Sequence, residues 1–289
     1  MLSFFRIYVN LFFEKENFLL RYRVCYNISM RQTSQNIQAQ NAPLSEDFVR
    51  NLPEFFSTGG TIIHNARNQI RVFDINGHKI NVKKFCVPPI VNRILYSLGW
   101  RTPKAQSTYF NAQEILKRGF DTPTPYGYRL DRTGGLINFS YFVSAQVENM
   151  RPIRDAEDVP ALIKALAQYT ADMHAKGLWH KDFTPGNILF RIENGQYHFC
   201  LVDINRFRFF NGPLPKNLIR RNLIQPFYND DDLRAFVEEY ARLTHWQGDL
   251  VRDVLRRKHR RNAYDDFKAK LKKLPGAYIL LNKPFQKQK

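Results

Sequence analysis

Cysteine is scarce in this chain. Its 289 residues hold three, Cys25, Cys86 and Cys200, far apart and without a Cys-x-x-Cys pair. That spacing offers neither a disulfide framework nor a zinc ligand set, and free thiols in a reducing compartment are expected. Long unbroken hydrophobic runs are missing too. The apolar opening MLSFFRIYVNLFFEKENFLLRYRVCYNISM is interrupted by Arg6, Glu14, Lys15 and Glu16, so it falls short of the roughly 20 apolar residues a membrane span needs. It also lacks the basic start and small-residue cleavage site of a secretory signal. The reading preferred for residues 1–50 is a leader with Met30 as the true start; a peripheral amphipathic anchor is the other. Internal repeats and strong low-complexity tracts are absent.

Carboxylates are also in deficit. Against 44 Lys+Arg stand 26 Asp+Glu, a net charge of +18, which selects polyanionic partners: nucleic acid, anionic lipid headgroups or phosphorylated substrates. Nucleic acid is the least expected of these, because no zinc finger, helix-turn-helix or aromatic RNA-binding signature accompanies the charge. Much of the excess lies in residues 250–274 and the tail NKPFQKQK. Such a run reads either as a solvated helix face or as an anion-binding surface.

What is present is a core-forming composition, 44% hydrophobic and 14% aromatic, enough for one large or two small domains. QIRVFDI (69–75), Asn76-Gly77 and HKINVKKF (78–85) spell a hairpin, since Asn-Gly suits a two-residue turn in which both residues take positive φ. Residues 107–119 read as a helix with Ser107 or Thr108 near its start and Gly119 at its end. Strands follow after DTPTPYGYRL and around 137–147. Asp158 caps a helix closing at Gly177, and another helix covers 231–244. A strand-rich lobe at 51–150 followed by a helical lobe at 151–274 leaves a cleft between them, with 275–289 as a basic tail.

Into that cleft run HKDFTPGNILF (180–190) and LVDIN (201–205). Moving a phosphoryl group from ATP to a hydroxyl requires a carboxylate to orient the acceptor and take its proton. It also requires oxygen ligands for magnesium at the phosphates. Asp182 suits the first task and Asn187 with Asp203 the second, on a loop and a returning strand. A lysine held by a helix glutamate completes the set. Lys83 shares a strand face with Asn81 and would enter the cleft, with Lys84 its rival by one register step. Glu114 is the acidic residue available on the next helix. Gly59-Gly60 read as preceding the first strand, with 64–68 as the turn above the phosphates. Gly59, Gly60 and Arg67 stand as phosphate contacts or as plain turn residues.

These segments, with GGTIIHNARNQIRVFDINGHKINVKKF and NAQEILKRGFDTPTPYGY, resemble the lipopolysaccharide kinase (Kdo/WaaP) family of the protein-kinase-like superfamily over residues 58–245. The resemblance implies an α+β, bilobal fold: a small antiparallel-sheet N-lobe, a mainly helical C-lobe and an ATP cleft between. It implies Lys83 and Glu114 as the phosphate-anchoring pair, Asp182 as catalytic base, Asn187 and Asp203 as magnesium ligands, and ATP and Mg2+ as cofactors. The acceptor implied is a Kdo or core-heptose sugar of lipopolysaccharide. The protein is then expected as a monomer lying peripherally on the anionic inner face of the inner membrane. Ile204-Asn205 stands where protein kinases carry Phe-Gly, and no Ala-Pro-Glu follows, which argues against a phosphorylation-controlled activation segment. The alternatives are a protein or small-metabolite kinase of the same fold and a basic pseudokinase that binds without catalysis.

Further expectations concern the surroundings. His180 is read as bonded to backbone near Asp203, and Lys181 as a solvated charge or a neutraliser of substrate phosphate. Trp179, Phe183 and the Phe207-Arg208-Phe209-Phe210 run are read as packing. Adenine would meet backbone near Ser144–Val147. Anionic surfaces would meet Lys216, Arg220, Arg221, Arg252, Arg256, Arg257, Lys258, Arg260 and Arg261.

Overall fold

A computed structural model describes residues 32–45 and 47–272. The expected start at Met30 and the basic tail lie outside these residues.

The N-lobe is one antiparallel sheet of six strands: β1 (Gln32–Gln38), β2 (Thr61–Asn65), β3 (Gln69–Ile75), β4 (His78–Phe85), β5 (Pro125–Thr133) and β6 (Leu136–Ala145), in the order β1-β5-β6-β4-β3-β2. Residues 32–38, read as leader, instead supply the edge strand β1, paired with β5 from Gln32↔Thr133 to Gln38↔Gly127. Their polar sequence hid this, because an edge strand exposed on its faces shows no apolar alternation. The β3–β4 hairpin has the expected bounds. Asn76 and Gly77 sit at φ +53 and +78, the turn that matches the twist of the strands.

Strand alternation sorts β4 by face. Ile80 and Val82 are buried against Phe48, Val49 and α1 (Leu52–Thr58) on one side. Phe85 packs on the other side with Tyr109, Tyr128, Leu130 and Phe142. Below that second face lies α3 (Lys104–Lys117), preceded by the short α2 (Ile90–Ser97), which the sequence pattern had not suggested. Helix α3 starts one turn earlier than expected. Pro103 precedes it, and Ser107 and Thr108 donate back to the Lys104 carbonyl at 3.1 and 2.7 Å, so they are first-turn residues, not caps.

After the bridge β7 (Arg151–Pro152), the C-lobe is built on α4 (Val159–Ala175), with Asp158 accepting from the Ala161 N–H as cap. The chain then forms β8 (Leu178–Trp179), the hairpin β9 (Ile188–Glu193) and β10 (Gln196–Leu201), and β11 (Arg208–Phe209). It closes with α5 (Lys216–Leu223), α6 (Asp230–Leu243) and α7 (Leu250–Lys272). Leu162, Leu166 and Met173 of α4 share one core with Leu223, Leu233, Phe236 and Val254. Two hydrogen bonds join the lobes: Leu201 N–H donates to Asp121 O at 2.9 Å and the Thr122 hydroxyl to Leu201 O at 2.7 Å. The end of β10 is thereby anchored to the segment leading into β5.

Candidate active site

Lys83 reaches the cleft and Lys84 does not. Lys83 Nζ lies 2.6 Å from Asp203 Oδ1 and 5.3 Å from the centre of the Phe85 ring. Lys84, one register step away, sends its ammonium to the opposite face, 4.0 Å from the Phe139 ring, where burial lowers its pKa.

Asp203 follows β10 in the left-handed region, φ +55 and ψ +45. Few non-glycine residues adopt this conformation, Asp among the more tolerant, and it turns the side chain out of the strand direction. Asn205 Nδ2 donates to the same Oδ1 at 2.9 Å. Burial pushes the carboxyl pKa up, but Lys83, with help from His180 and Asn205, outweighs it and leaves the group below its ordinary value. Helix α3 holds the loop from behind: Ser107 Oγ donates to Asn205 O at 3.1 Å and Asn111 Nδ2 to Ile204 O at 2.7 Å.

The loop from His180 to Asn187 is closed by its own backbone. Thr184 N–H donates to Asp182 O and Asn187 N–H to Thr184 O, both at 2.9 Å. Asn187 Nδ2 also donates to Asp182 O at 2.9 Å, and Val202 N–H donates to Asn187 O at 3.0 Å. Asp182, Asn187 and Asp203 therefore belong to one bonded unit.

A chain of buried polar groups supports that unit and fixes the histidine tautomers. The Asp182 N–H donates to His180 Nδ1 at 3.1 Å, so the proton on His180 is at Nε2, which donates to Val202 O at 3.0 Å. Asn222 Nδ2 donates to His180 O at 2.8 Å, which turns its Oδ1 toward His174 Nε2, also at 2.8 Å. His174 Nδ1 then accepts from Tyr240 OH at 3.0 Å. Burial lowers the pKa of both imidazoles, that of His174 to about 4, so both are neutral near pH 7. Asn222 and Tyr240 carry no catalytic signature in sequence and became visible only as partners.

Three of the residues expected at the phosphates stand elsewhere. Glu114 is paired with Arg118 Nε at 2.7 Å, not with Lys83, and Arg118 goes on to bond Lys176 O and Phe210 O at 2.8 and 2.9 Å. The stripe is right and the rung is wrong: Ser107 and Asn111 face the Asp203 loop, and Glu114 lies about 10 Å further along the axis than Ser107 at 1.5 Å per residue. Gly60 (φ +77) immediately precedes β2, and a Cβ there would meet the Phe73 ring at 2.7 Å, on the face away from Lys83. Gly59 O accepts from Arg71 at 2.6 Å. Both glycines lie against Phe73, on the sheet face away from Lys83.

Arg67 occupies the β2–β3 turn and lies close enough to oppose the charge of Lys104, whose pKa is lowered chiefly by burial and then by Arg67. Lys104 Nζ lies 5.9 Å from the Phe85 ring that Lys83 also flanks. Lys104 is a cleft cation that sequence reasoning passed over; its place three residues before Ser107 on the α3 stripe is the signal that would have found it. At the linker between lobes, Ala145 N–H is bonded to Thr124 O and Gln146 N–H to Lys79 O, so neither is free to meet a base. Trp179, Phe183 and Phe207 are buried, as packing residues are.

The oxygen donors suit a hard divalent cation such as magnesium. Both protein contacts to Asp203 fall on Oδ1, leaving Oδ2, and the outward bond of the Asn187 amide nitrogen leaves its oxygen.

The sequence profile described as "Lipopolysaccharide kinase (Kdo/WaaP) family" matches residues 67–225. Among solved structures, WaaP in complex with acyl carrier protein is similar at 16% identity and TM-score 0.49, covering 82% of this chain and 98% of that one. The Rio2 kinase-ADP/Mg2+-phosphoaspartate complex from Chaetomium thermophilum is similar at 16% identity and TM-score 0.40, over 76% of this chain and 70% of its own. No curated protein matches the sequence.

Proposed function

Since the chain belongs to the lipopolysaccharide kinase (Kdo/WaaP) family, we propose that it transfers the γ-phosphoryl group of ATP to a hydroxyl of a Kdo or core-heptose sugar in the lipopolysaccharide inner core. The observation that supports this most is the bonded unit of Asp182, Asn187 and Asp203 facing Lys83 across one cleft. In this reading Asp182 orients the acceptor hydroxyl and takes its proton as the oxygen bonds to the γ-phosphorus and the bond to the β,γ-bridging oxygen breaks. Lys83 anchors the phosphates, with Lys104 and Arg67 beside it. Asn187 and Asp203 would hold magnesium, which when bound neutralises charge on the phosphates. The Lys83–Asp203 contact keeps both charges compensated until phosphate and metal take their places.

The same proposal places the enzyme peripherally on the inner face of the inner membrane. In support, α2 and the residues after it expose Ile90, Val91, Ile94, Leu98 and Trp100, which is 67% exposed, next to Arg101. Among the described residues no helix is long and apolar enough to cross a membrane. Of the basic residues expected to meet that surface, Arg220 is bonded to Asp253 and Lys258 is buried against Asp230 and Tyr228 O. Those two are structural charges.

The test is phosphate transfer from γ-labelled ATP to purified Kdo-lipid A and to heptose-containing core, with Asp182→Ala as control. Label that appears in glycolipid and vanishes in the variant supports the reading. A wild type that labels neither glycolipid removes the substrate assignment.

A further inference from the structure

The phosphotransfer chemistry leaves unused the cation that precedes its base. Lys181 stands next to Asp182, and around it gather the guanidinium groups of Arg101, Arg206, Arg208 and Arg221. After burial, these four are what lower its pKa. They come from four parts of the fold. Arg101 follows α2, Arg206 lies three residues past Asp203, Arg208 is on β11, and Arg221 is on α5. Trp179 fixes two of them. The pairing of β11 with β8 sets Arg208 opposite Trp179, and the Arg208 and Arg221 guanidinium carbons lie 5.8 and 5.6 Å from its ring.

None of the five cations has a carboxylate partner among the described residues; Arg101 donates to Asn92 Oδ1 at 2.9 Å. Unpaired like charges held together repel one another, and the repulsion is relieved when an anion enters. A guanidinium held beside an aromatic ring keeps its N–H fork available to a carboxylate or phosphate, which it can grip with two bonds.

We propose that Lys181, Arg101, Arg206, Arg208 and Arg221 form a docking site for an anionic group carried by the acceptor, a carboxylate or a phosphate monoester, which sets a neighbouring hydroxyl against Asp182. This rests on the phosphotransfer reading of Asp182. The site selects by charge: a neutral sugar would leave the cations uncompensated and bind poorly.

The experiment is titration calorimetry of the full chain with Kdo-lipid A in neutral detergent, alongside the same glycolipid with its Kdo carboxylate reduced to the alcohol and with its phosphates removed. Each is titrated into wild type, Arg208→Gln/Arg221→Gln, and the charge-keeping Arg208→Lys/Arg221→Lys. Wild type is expected to lose at least tenfold in affinity when one anion is removed, and which anion names the source. The Gln pair should lose a similar factor on the native glycolipid, and the Lys pair should recover part of it. Equal wild-type affinity for all three glycolipids overturns the proposal, and this arm needs no variant to fold. It is overturned equally if the Gln pair loses affinity to the same extent for the glycolipid whose missing anion weakened the wild type. Transfer to each glycolipid is followed in parallel: anion-dependent binding without transfer leaves the docking site standing and removes the phosphotransfer reading.

Discussion

Replacing Asn222 by leucine tests whether the buried polar chain behind the catalytic loop holds that loop in place. Asn222 is fully buried and bonds on both sides, accepting from His174 Nε2 and donating to His180 O, each at 2.8 Å. Leucine fits a similar volume but leaves one buried N–H and one buried carbonyl without partners, at about 1–3 kcal/mol each. Added apolar contact returns about 1–2 kcal/mol. The net expected loss is about 2–4 kcal/mol, a fall of about 1 M in the urea midpoint for a slope near 3 kcal/mol per M. Urea unfolding followed by tryptophan fluorescence reads this directly. Because the Asp182 N–H is bonded to His180 Nδ1, the folded variant should also turn over more slowly while binding nucleotide with unchanged affinity. A midpoint within about 0.3 M of wild type, at the same slope, would refute the assignment of these bonds as a structural relay.

Acid should weaken the same relay. The His174 pKa is lowered to about 4 in the fold against 6.5 for the free side chain, so the unfolded chain binds the extra proton. Its contribution is complete above about pH 6.5 and is lost as pH falls toward 4, by up to about 3 kcal/mol. Urea midpoints at pH 7, 5.5 and 4.5 should converge between wild type and His174→Gln as pH falls, and parallel curves would contradict this. Glu114→Gln should leave turnover within about threefold of wild type, because its bond is to Arg118 on a partly exposed helix surface. Lys83→Met should lose on the order of a hundredfold or more; equal losses in the two variants would restore Glu114 to the cleft. Ile94→Ser/Trp100→Ser should reduce flotation with anionic vesicles, and unchanged flotation would remove α2 from the membrane contact.

Local rules made several elements legible. Asn76-Gly77 sets the β3–β4 register through its positive φ values, Asp158 and Gly177 bracket α4, and the period-two alternation of β4 places Lys83 opposite Val82. The HKDFTPGN and VDIN segments could be read together because backbone bonds within a few residues, or across a single hairpin, bring their side chains to one place. β1 was not legible, since an exposed edge strand pairs through its backbone and leaves no apolar pattern. The glutamate was misplaced because helix periodicity tells which face a residue shares but not which rung meets another element.

The sequence alone determined which groups are available to this protein, two aspartates, an asparagine and a lysine in kinase order, because those residues sit on elements that local interactions specify. Only the tertiary structure decided that Lys83 meets Asp203 and Glu114 meets Arg118, that Asn222 joins His174 to the catalytic loop, and that arginines from four separate segments surround Lys181. Those contacts depend on how far one helix or strand slides along another, and such offsets are set by the packing of whole surfaces, not by any short stretch of chain.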